Sequence, residues 1–168
     1  MKTLKHQISF LVIATALAVS AAAQTSLTSL DGTKVDVEAQ NGKVVVMAMG
    51  AAWLPLSAKQ AEYTNALAKK YAGKNVVVYF VMTDSANSRS NNYTSPEEIK
   101  RFVATNKISV TVLRDPDGLV TLKKFDVDQV PSFVLLNKQG DIAGEPFGGI
   151  DPKYDITIPI SKAIDKLL

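Results

Sequence analysis

The order of apolar and polar residues predicts alternating strands and helices in the first half of the chain. The run Lys43 to Met49 is almost continuously apolar, which is typical of a strand covered on both faces. The segment Pro55 to Tyr71 instead repeats its apolar positions at helical spacing, and Pro55 suits a first helical turn, where a missing N–H is tolerated. Asn75 to Met82 is apolar again and predicts a second buried strand.

A polar loop rich in Ser and Asn separates the second strand from a helix with a well-marked start. Ser95 begins a capping box, and a helix is predicted to continue through Ile99 to Thr105. Ile108 to Leu113 is a short strand-like run, and Asp115 to Gly118 has the residues of a turn. A short helix is predicted from Leu119 to Phe125.

The remaining segments complete the predicted sheet. Ser132 to Leu136 and Asp141 to Ala143 predict a hairpin, Ile158 to Leu168 a closing amphipathic helix, and Ser26 to Glu38 a small leading hairpin. Together these elements predict an α/β fold with a central mixed β-sheet, helices on both of its faces and a small N-terminal β-hairpin.

The N-terminus has the three-part pattern of a secretory signal peptide. Basic residues precede the apolar run Ile8 to Val19, and small residues at Ala21 and Ala23 suit a signal peptidase. The run is short for a stable membrane span, and a retained anchor is the alternative. We predict a bacterial-type signal peptide at residues 1–23, cleaved after Ala23, and a single domain at residues 24–168. This domain is expected to be periplasmic or secreted, without stable membrane insertion.

Composition excludes several partners and chemistries. The chain has 19 basic and 16 acidic residues, and loss of Lys2 and Lys5 with the signal leaves 17 basic residues and a net charge of +1. Nucleic acid is therefore not an expected partner.

The sequence has no Cys, and its one histidine, His6, lies in the predicted signal. This excludes cysteine nucleophiles, histidine bases and nearly all zinc or copper sites, and neither a cofactor nor a metal is assigned. Carboxylate chemistry and a Lys-activated serine stay open.

Several segments, in the right order and spacing, resemble the thioredoxin-like proteins of the bacterial cell envelope, meaning the TlpA-like disulfide reductases and the redoxin (alkyl hydroperoxide reductase/thiol-specific antioxidant) family. These segments are Gly42 to Val46, Ala51 to Pro55, Arg114 to Gly118, Phe125 to Phe133 and Asn137 to Ile142. The resemblance runs from about residue 29 to the C-terminus. It implies a thioredoxin-like fold and, for the family, thiol–disulfide exchange.

The active-site positions of that family are changed in this chain. Where the family has Cys-x-x-Cys after the tryptophan, this sequence has Leu54-Pro55-Leu56-Ser57. The acids that the resemblance implies six residues before and after the first cysteine are replaced by Ala48 and Gln60. Because exchange requires a thiolate, the reaction of the family is not expected here, and no catalytic residue is assigned.

The resemblance also indicates a candidate binding groove between the turn at residues 53–57 and the segment at residues 130–132. Pro131 is expected to be cis on the resemblance alone. Ser57 is interpreted as a polar residue that satisfies N–H groups at the helix start, since no base is placed to activate it. Core packing is the alternative for Trp53. The groove residues are Trp53, Leu54, Pro55, Leu56, Ser57, Val130, Pro131 and Ser132.

Three functions remain open from the sequence. The first is a non-catalytic adaptor, holdase or assembly factor that binds an unidentified protein or peptide of the cell envelope through this groove. The second is a thiol–disulfide oxidoreductase or peroxiredoxin-like enzyme, as the family implies. The third is a binder of small anions at the helix N-terminus, residues 54–57.

Overall fold

The computed structural model describes residues 25–168, so the predicted signal peptide and its cleavage site lie outside the described residues. Six strands and three α-helices make up the described chain, together with a short 3-10 turn at Pro116–Gly118. The strands are β1 (Ser26–Ser29), β2 (Lys34–Asp36), β3 (Val44–Gly50), β4 (Val76–Met82), β5 (Thr111–Arg114) and β6 (Ser132–Leu136). The helices are α1 (Ser57–Lys70), α2 (Pro96–Thr105) and α3 (Thr157–Leu167).

The strands form one mixed sheet in the order β2-β1-β5-β4-β3-β6. Strands β3, β4 and β5 are parallel to one another. At one edge β6 pairs antiparallel with β3, and at the other β1 of the leading hairpin pairs antiparallel with β5 and β2 with β1. Every residue of β3 is buried. The central position of β3 explains its continuous apolar sequence, because a strand covered on both faces has no polar side. The predicted mixed sheet, its flanking helices and the N-terminal hairpin are confirmed.

The two faces of the sheet are covered differently. All three helices contribute to one hydrophobic cluster, through residues such as Leu67 of α1, Ile99 of α2 and Ile160 of α3. The opposite face is covered by the segment between β5 and β6, which contributes Phe125 and Val127. The expectation of helices on both faces is therefore wrong for this second face, where no α-helix is formed within residues 25–168.

The short helix predicted at Leu119 to Phe125 is absent for a local reason. Asp117 and Gly118 before the segment have positive φ angles of 59° and 65°, and Asp126 after it has one of 53°, so a right-handed helix cannot extend past either end. Between these residues, the N–H groups of Leu122 and Phe125 donate to the carbonyls of Gly118 and Thr121, and the Asp115 carboxylate accepts the N–H groups of Val120 and Thr121 at 3.1 and 2.8 Å, so the segment forms single turns.

The hairpin predicted after β6 is only partly formed. Asp141 to Ala143 makes a single bridge, between Ile142 and Leu136, rather than a strand. Gly144 has a φ angle of 87°, and the chain returns to β6 only at Phe147, which bridges Phe133. Similarly, β5 begins at Thr111, later than the predicted run.

The helix starts differ in how well the sequence predicted them. For α2 the capping box is confirmed, because Ser95 accepts the N–H of Glu98 and the Glu98 carboxylate accepts the N–H of Ser95. For α1 the predicted start at Pro55 is wrong: the helix begins at Ser57, and Leu56 occupies the N-cap without a side-chain hydrogen bond. None of the helices within residues 25–168 is both long and apolar enough to cross a membrane.

Candidate functional site

The turn between β3 and α1 carries an apolar surface. Trp53 is 46% exposed, Pro55 is exposed, and Leu54 and Leu56 are half-buried. The alternative interpretation, in which Trp53 packs in the core, is therefore wrong. The turn is closed by a hydrogen bond from the Leu54 N–H to the Ala51 carbonyl at 3.1 Å. An exposed indole beside two half-exposed leucines is the kind of surface that binds another apolar group.

Ser57 is fully buried and has no base to activate it. Its Oγ accepts the N–H of Ala51, at the end of β3, at 3.2 Å. The prediction that Ser57 satisfies N–H groups at the helix start is therefore wrong. The nearby Lys59 pairs with Glu62 at 2.5 Å, and the Glu62 carboxylate raises the pKa of Lys59. Because the Lys59 ammonium is paired with Glu62, it is not placed to activate Ser57 as a base.

The segment at residues 130–132 lies against the turn because of the sheet register. Ser132 pairs with Met49 in antiparallel β6 and β3, which brings Val130 beyond the end of β3, next to the start of the turn. Pro131 and Ser132 are buried, Val130 is half-buried, and the Val130–Pro131 peptide bond is cis. Among the described residues, neither main-chain polar group of Val130 has a hydrogen-bond partner.

Gln60 joins the helix to both strands below the groove. It is fully buried, and its Nε2 donates to the carbonyls of Ser132, at 2.7 Å, and Met49, at 3.1 Å. Its Oε1 has no partner within residues 25–168 and lies so close to Gly50 that a Cβ there would be 2.3 Å away. A side chain at position 50 would therefore displace the Gln60 amide. The resemblance implies a proton-handling acid at this position. In this chain the amide of Gln60 instead links helix α1 to strands β3 and β6.

Asp84 is a site residue that the sequence analysis missed. It is fully buried behind the turn, and its Oδ1 accepts the N–H of Ala52 at 2.8 Å and the hydroxyl of Thr94 at 2.6 Å. The side chain of Arg114 donates to the Asp84 carbonyl at 3.3 Å. Burial lowers the pKa of Arg114, and the charge of Asp84 partly offsets this effect. A charged residue two positions after the end of the buried strand β4 was the available signal for Asp84.

Within residues 25–168 the site offers neither a thiol nor a cluster of metal-binding side chains. Across residues 25–168, no three His, Cys, Asp or Glu side chains are grouped closely enough to hold a metal ion. What the site does offer is an apolar surface, Trp53 to Leu56, beside the main chain of Val130, which has no hydrogen-bond partner within residues 25–168.

Comparisons with known proteins agree with this geometry. Residues 19–144 match the model of the AhpC/TSA family. The chain is 25% identical over 119 residues to a thiol-disulfide oxidoreductase ResA of Bacillus thuringiensis, an alignment that covers 71% of this chain and 63% of that protein. The chain thus matches somewhat less than two thirds of the length of this relative.

Solved structures show the same fold. A pneumococcal exposed lipoprotein thioredoxin, Etrx1 of Streptococcus pneumoniae, superposes with a TM-score of 0.68 at 23% identity, covering 86% of this chain and all of that one. A structure described as a putative DsbE thiol:disulfide interchange protein of Chlorobium tepidum has a TM-score of 0.68 at 21% identity, covering 83% and 92% of the two chains. The thioredoxin-like fold follows from these similarities.

Proposed function

The chain belongs to the AhpC/TSA family and has its thioredoxin-like fold without any cysteine, and from this premise we propose that it is an exported, non-catalytic module that binds an extended protein segment. The proposed site is the groove between the turn at residues 53–57 and the segment at residues 130–132. Thiol–disulfide exchange begins with a thiolate, and no other side chain replaces it.

The observation that supports the proposal is the main chain of Val130, which has no hydrogen-bond partner in the described part of the chain, beside an apolar surface. An extended segment can pair with a free N–H and C=O as if it were an added strand, while its side chains contact neighbouring apolar groups. Here the neighbouring groups are Trp53, Leu54 and Leu56, none of which is buried in the core. Gln60, through its two hydrogen bonds, keeps the two sides of the groove together before any ligand arrives.

Export is part of the proposal and is supported by two observations. Residues 1–23 have the pattern of a signal peptide. One protein of the same fold is described as an exposed lipoprotein thioredoxin. Fractionation of cells that express the full chain should place a shortened product, beginning near residue 24, outside the cytoplasm.

Binding is tested with Leu54→Asp, which puts a charge on the groove surface. A half-buried leucine contributes only part of the roughly 2 kcal/mol of a fully buried one, so the variant should fold. The matched control is Leu119→Asp, since Leu119 is 79% exposed in the turns that cover the other face. Cell-envelope proteins captured by the wild type and by Leu119→Asp should be lost with Leu54→Asp. Identical sets for all three proteins would contradict the groove.

The two other functions have less support. An oxidoreductase should reduce insulin in the presence of a thiol donor, and we expect no rate above background, because the chain supplies no thiolate. An anion site at the start of α1 would use the first N–H groups of the helix. The N–H of Ser57 already donates to the Leu54 carbonyl at 3.1 Å, and the nearby Lys59 is paired with Glu62.

A further inference from the structure

A surface depression between helices α1 and α3 lies away from the groove. Its volume is about 460 Å³, within the size range of small-ligand sites. Lys70, the last residue of α1, lines one side of it, and residues of α3 line the rest. The groove lies at the other end of α1, about 20 Å away along a helix of 14 residues. A ligand in this depression would therefore leave the groove free.

Positive charge exceeds negative charge in the lining of this depression. The lining has three lysines, Lys70, Lys162 and Lys166, and none of them forms an ion pair within residues 25–168. Among the described residues of the lining, Asp165 is the one acid, and its Oδ1 already accepts the Tyr71 hydroxyl at 2.8 Å. Three ammonium groups against one carboxylate leave an excess of two positive charges.

The charges next to the depression do not remove this excess. Just before α3, the pKa of Asp155 is lowered by its hydrogen bonds with Thr157 and, to a smaller extent, by the charges of nearby lysines that include Lys70. On the side of α1, the Lys74 ammonium lies 5.1 Å from the centre of the Tyr71 ring. One further acid and one further base thus border the depression, and their charges offset each other.

Ser161 adds a hydrogen-bond donor that the protein itself does not use. The residue is only 4% exposed, yet it lines the depression. Its carbonyl accepts the Tyr71 hydroxyl at 3.0 Å, but its own hydroxyl makes no hydrogen bond within residues 25–168. The hydroxyl of Thr157, in contrast, donates to Asp155 at 2.6 Å. A buried hydroxyl without a partner costs free energy, and a ligand oxygen would supply the missing acceptor.

We propose that this depression binds a phosphate monoester. The Ser161 hydroxyl donates to one phosphate oxygen, and the three lysines of the lining neutralise the charge. A phosphate monoester carries about −1.5 to −2 charges at pH 7 and has three acceptor oxygens, so it matches both the excess charge and the unused donor. Soluble phosphorylated molecules and the headgroup of phosphatidic acid share this chemistry. The inference is independent of the proposed groove.

Glycerol 3-phosphate is the soluble probe, and two-dimensional amide NMR spectra follow its titration at constant ionic strength. The amide signals of α3, that of Ser161 among them, should shift saturably, while those of the turn at residues 53–57 should not. Acetate under the same conditions should bind roughly 5-fold more weakly, because it brings a single charge. Equal affinity for both anions would contradict the assignment of a phosphate monoester.

Three variants locate the site. Lys70→Gln should weaken the binding of glycerol 3-phosphate roughly 2- to 5-fold, the range for a partly exposed ion pair. Lys69→Gln is the matched control: it removes the same charge from the neighbouring residue of α1, which does not line the depression, and the affinity should stay unchanged. Ser161→Ala should weaken binding about 10-fold through loss of a hydrogen bond to a charged group. Its urea midpoint should equal that of the wild type, since the hydroxyl has no protein partner to lose.

Co-sedimentation with vesicles separates the two sources of the phosphate. Vesicles of phosphatidylcholine that contain phosphatidic acid are compared with vesicles of phosphatidylcholine alone. Binding to the first kind only, weakened by Lys70→Gln and not by Lys69→Gln, would support a lipid headgroup as ligand. Binding of glycerol 3-phosphate without vesicle binding would support a soluble ligand. The proposal is overturned if neither probe binds saturably, or if Lys70→Gln and Lys69→Gln have equal effects.

Discussion

Replacing Gln60 by glutamate tests how the groove is held together. The amide nitrogen of Gln60 donates two hydrogen bonds, to the carbonyls of Ser132 and Met49, from a fully buried position. A protonated glutamic acid has one donor and an ionised one has none. The variant Gln60→Glu keeps the size of the side chain while removing one donor at low pH and both at high pH.

The expected loss of stability depends on pH in a defined direction. Below about pH 4 the introduced acid is protonated in both the folded and unfolded states, and the loss of one hydrogen bond costs about 1 kcal/mol. Burial beside two carbonyl oxygens raises the folded-state pKa of the carboxyl group introduced by Gln60→Glu, while its unfolded pKa stays near about 4.3. Above that pH the unfolded state ionises first, so stability falls by roughly 1.4 kcal/mol per pH unit.

By pH 7 the accumulated loss should reach roughly 4–5 kcal/mol, a large part of the stability of an ordinary domain. The assay is urea unfolding of the wild type and Gln60→Glu between pH 4 and 8. Gln60→Leu is the control, because it lacks both donors but has no titrating group, and its loss should not change with pH. If the wild-type and Gln60→Glu stabilities fell in parallel over this range, the buried contact described for Gln60 would be refuted.

Three further variants test other contacts. Asp84→Ala should cost roughly 2–5 kcal/mol in urea unfolding, because it leaves the N–H of Ala52 and the hydroxyl of Thr94 unpaired, and Asp84→Asn should cost less because one acceptor remains. Ser95→Ala should cost about 1 kcal/mol through loss of the α2 cap, with peptide binding unchanged. The double variant Leu54→Cys with Ser57→Cys should form a disulfide and gain insulin reductase activity that neither single variant has; a folded double variant without exchange would contradict the view that the missing thiols alone removed the reaction.

Much of the fold could be predicted because its signals are local. Strands β3 and β4 are continuous apolar runs, and the capping box of α2 lies within four consecutive residues, Ser95 to Glu98. The helix at 119–125 was mispredicted because residues with left-handed φ angles lie at both of its ends, Asp117 and Gly118 before it and Asp126 after it. Residue propensities and apolar spacing give no information on such local hydrogen bonds and backbone angles.

The site was predictable only as far as the resemblance reached. The groove residues were identified from the motif of the family that the sequence resembles. The contacts that support the groove join residues far apart in the sequence. Gln60 reaches a carbonyl 72 residues away, and Asp84 fixes a turn 32 residues earlier in the chain. Sequence spacing gives no information on such pairs, which is why Gln60 was read only as a missing acid and Asp84 was not considered.

The distribution of unsatisfied polar atoms gives an independent reason to regard this region as functional. Within residues 25–168, four buried side-chain atoms lack a protein partner: Gln60 Oε1, Ser132 Oγ, Asp84 Oδ2 and Arg114 Nη1. Two belong to residues directly below the groove, and the other two to the Asp84–Arg114 contact behind its turn. Each such atom costs on the order of 1–3 kcal/mol unless water satisfies it. Costs of this kind are tolerated where a rigid, preformed surface lowers the entropy lost on binding, which is the property that the proposed binding groove would require.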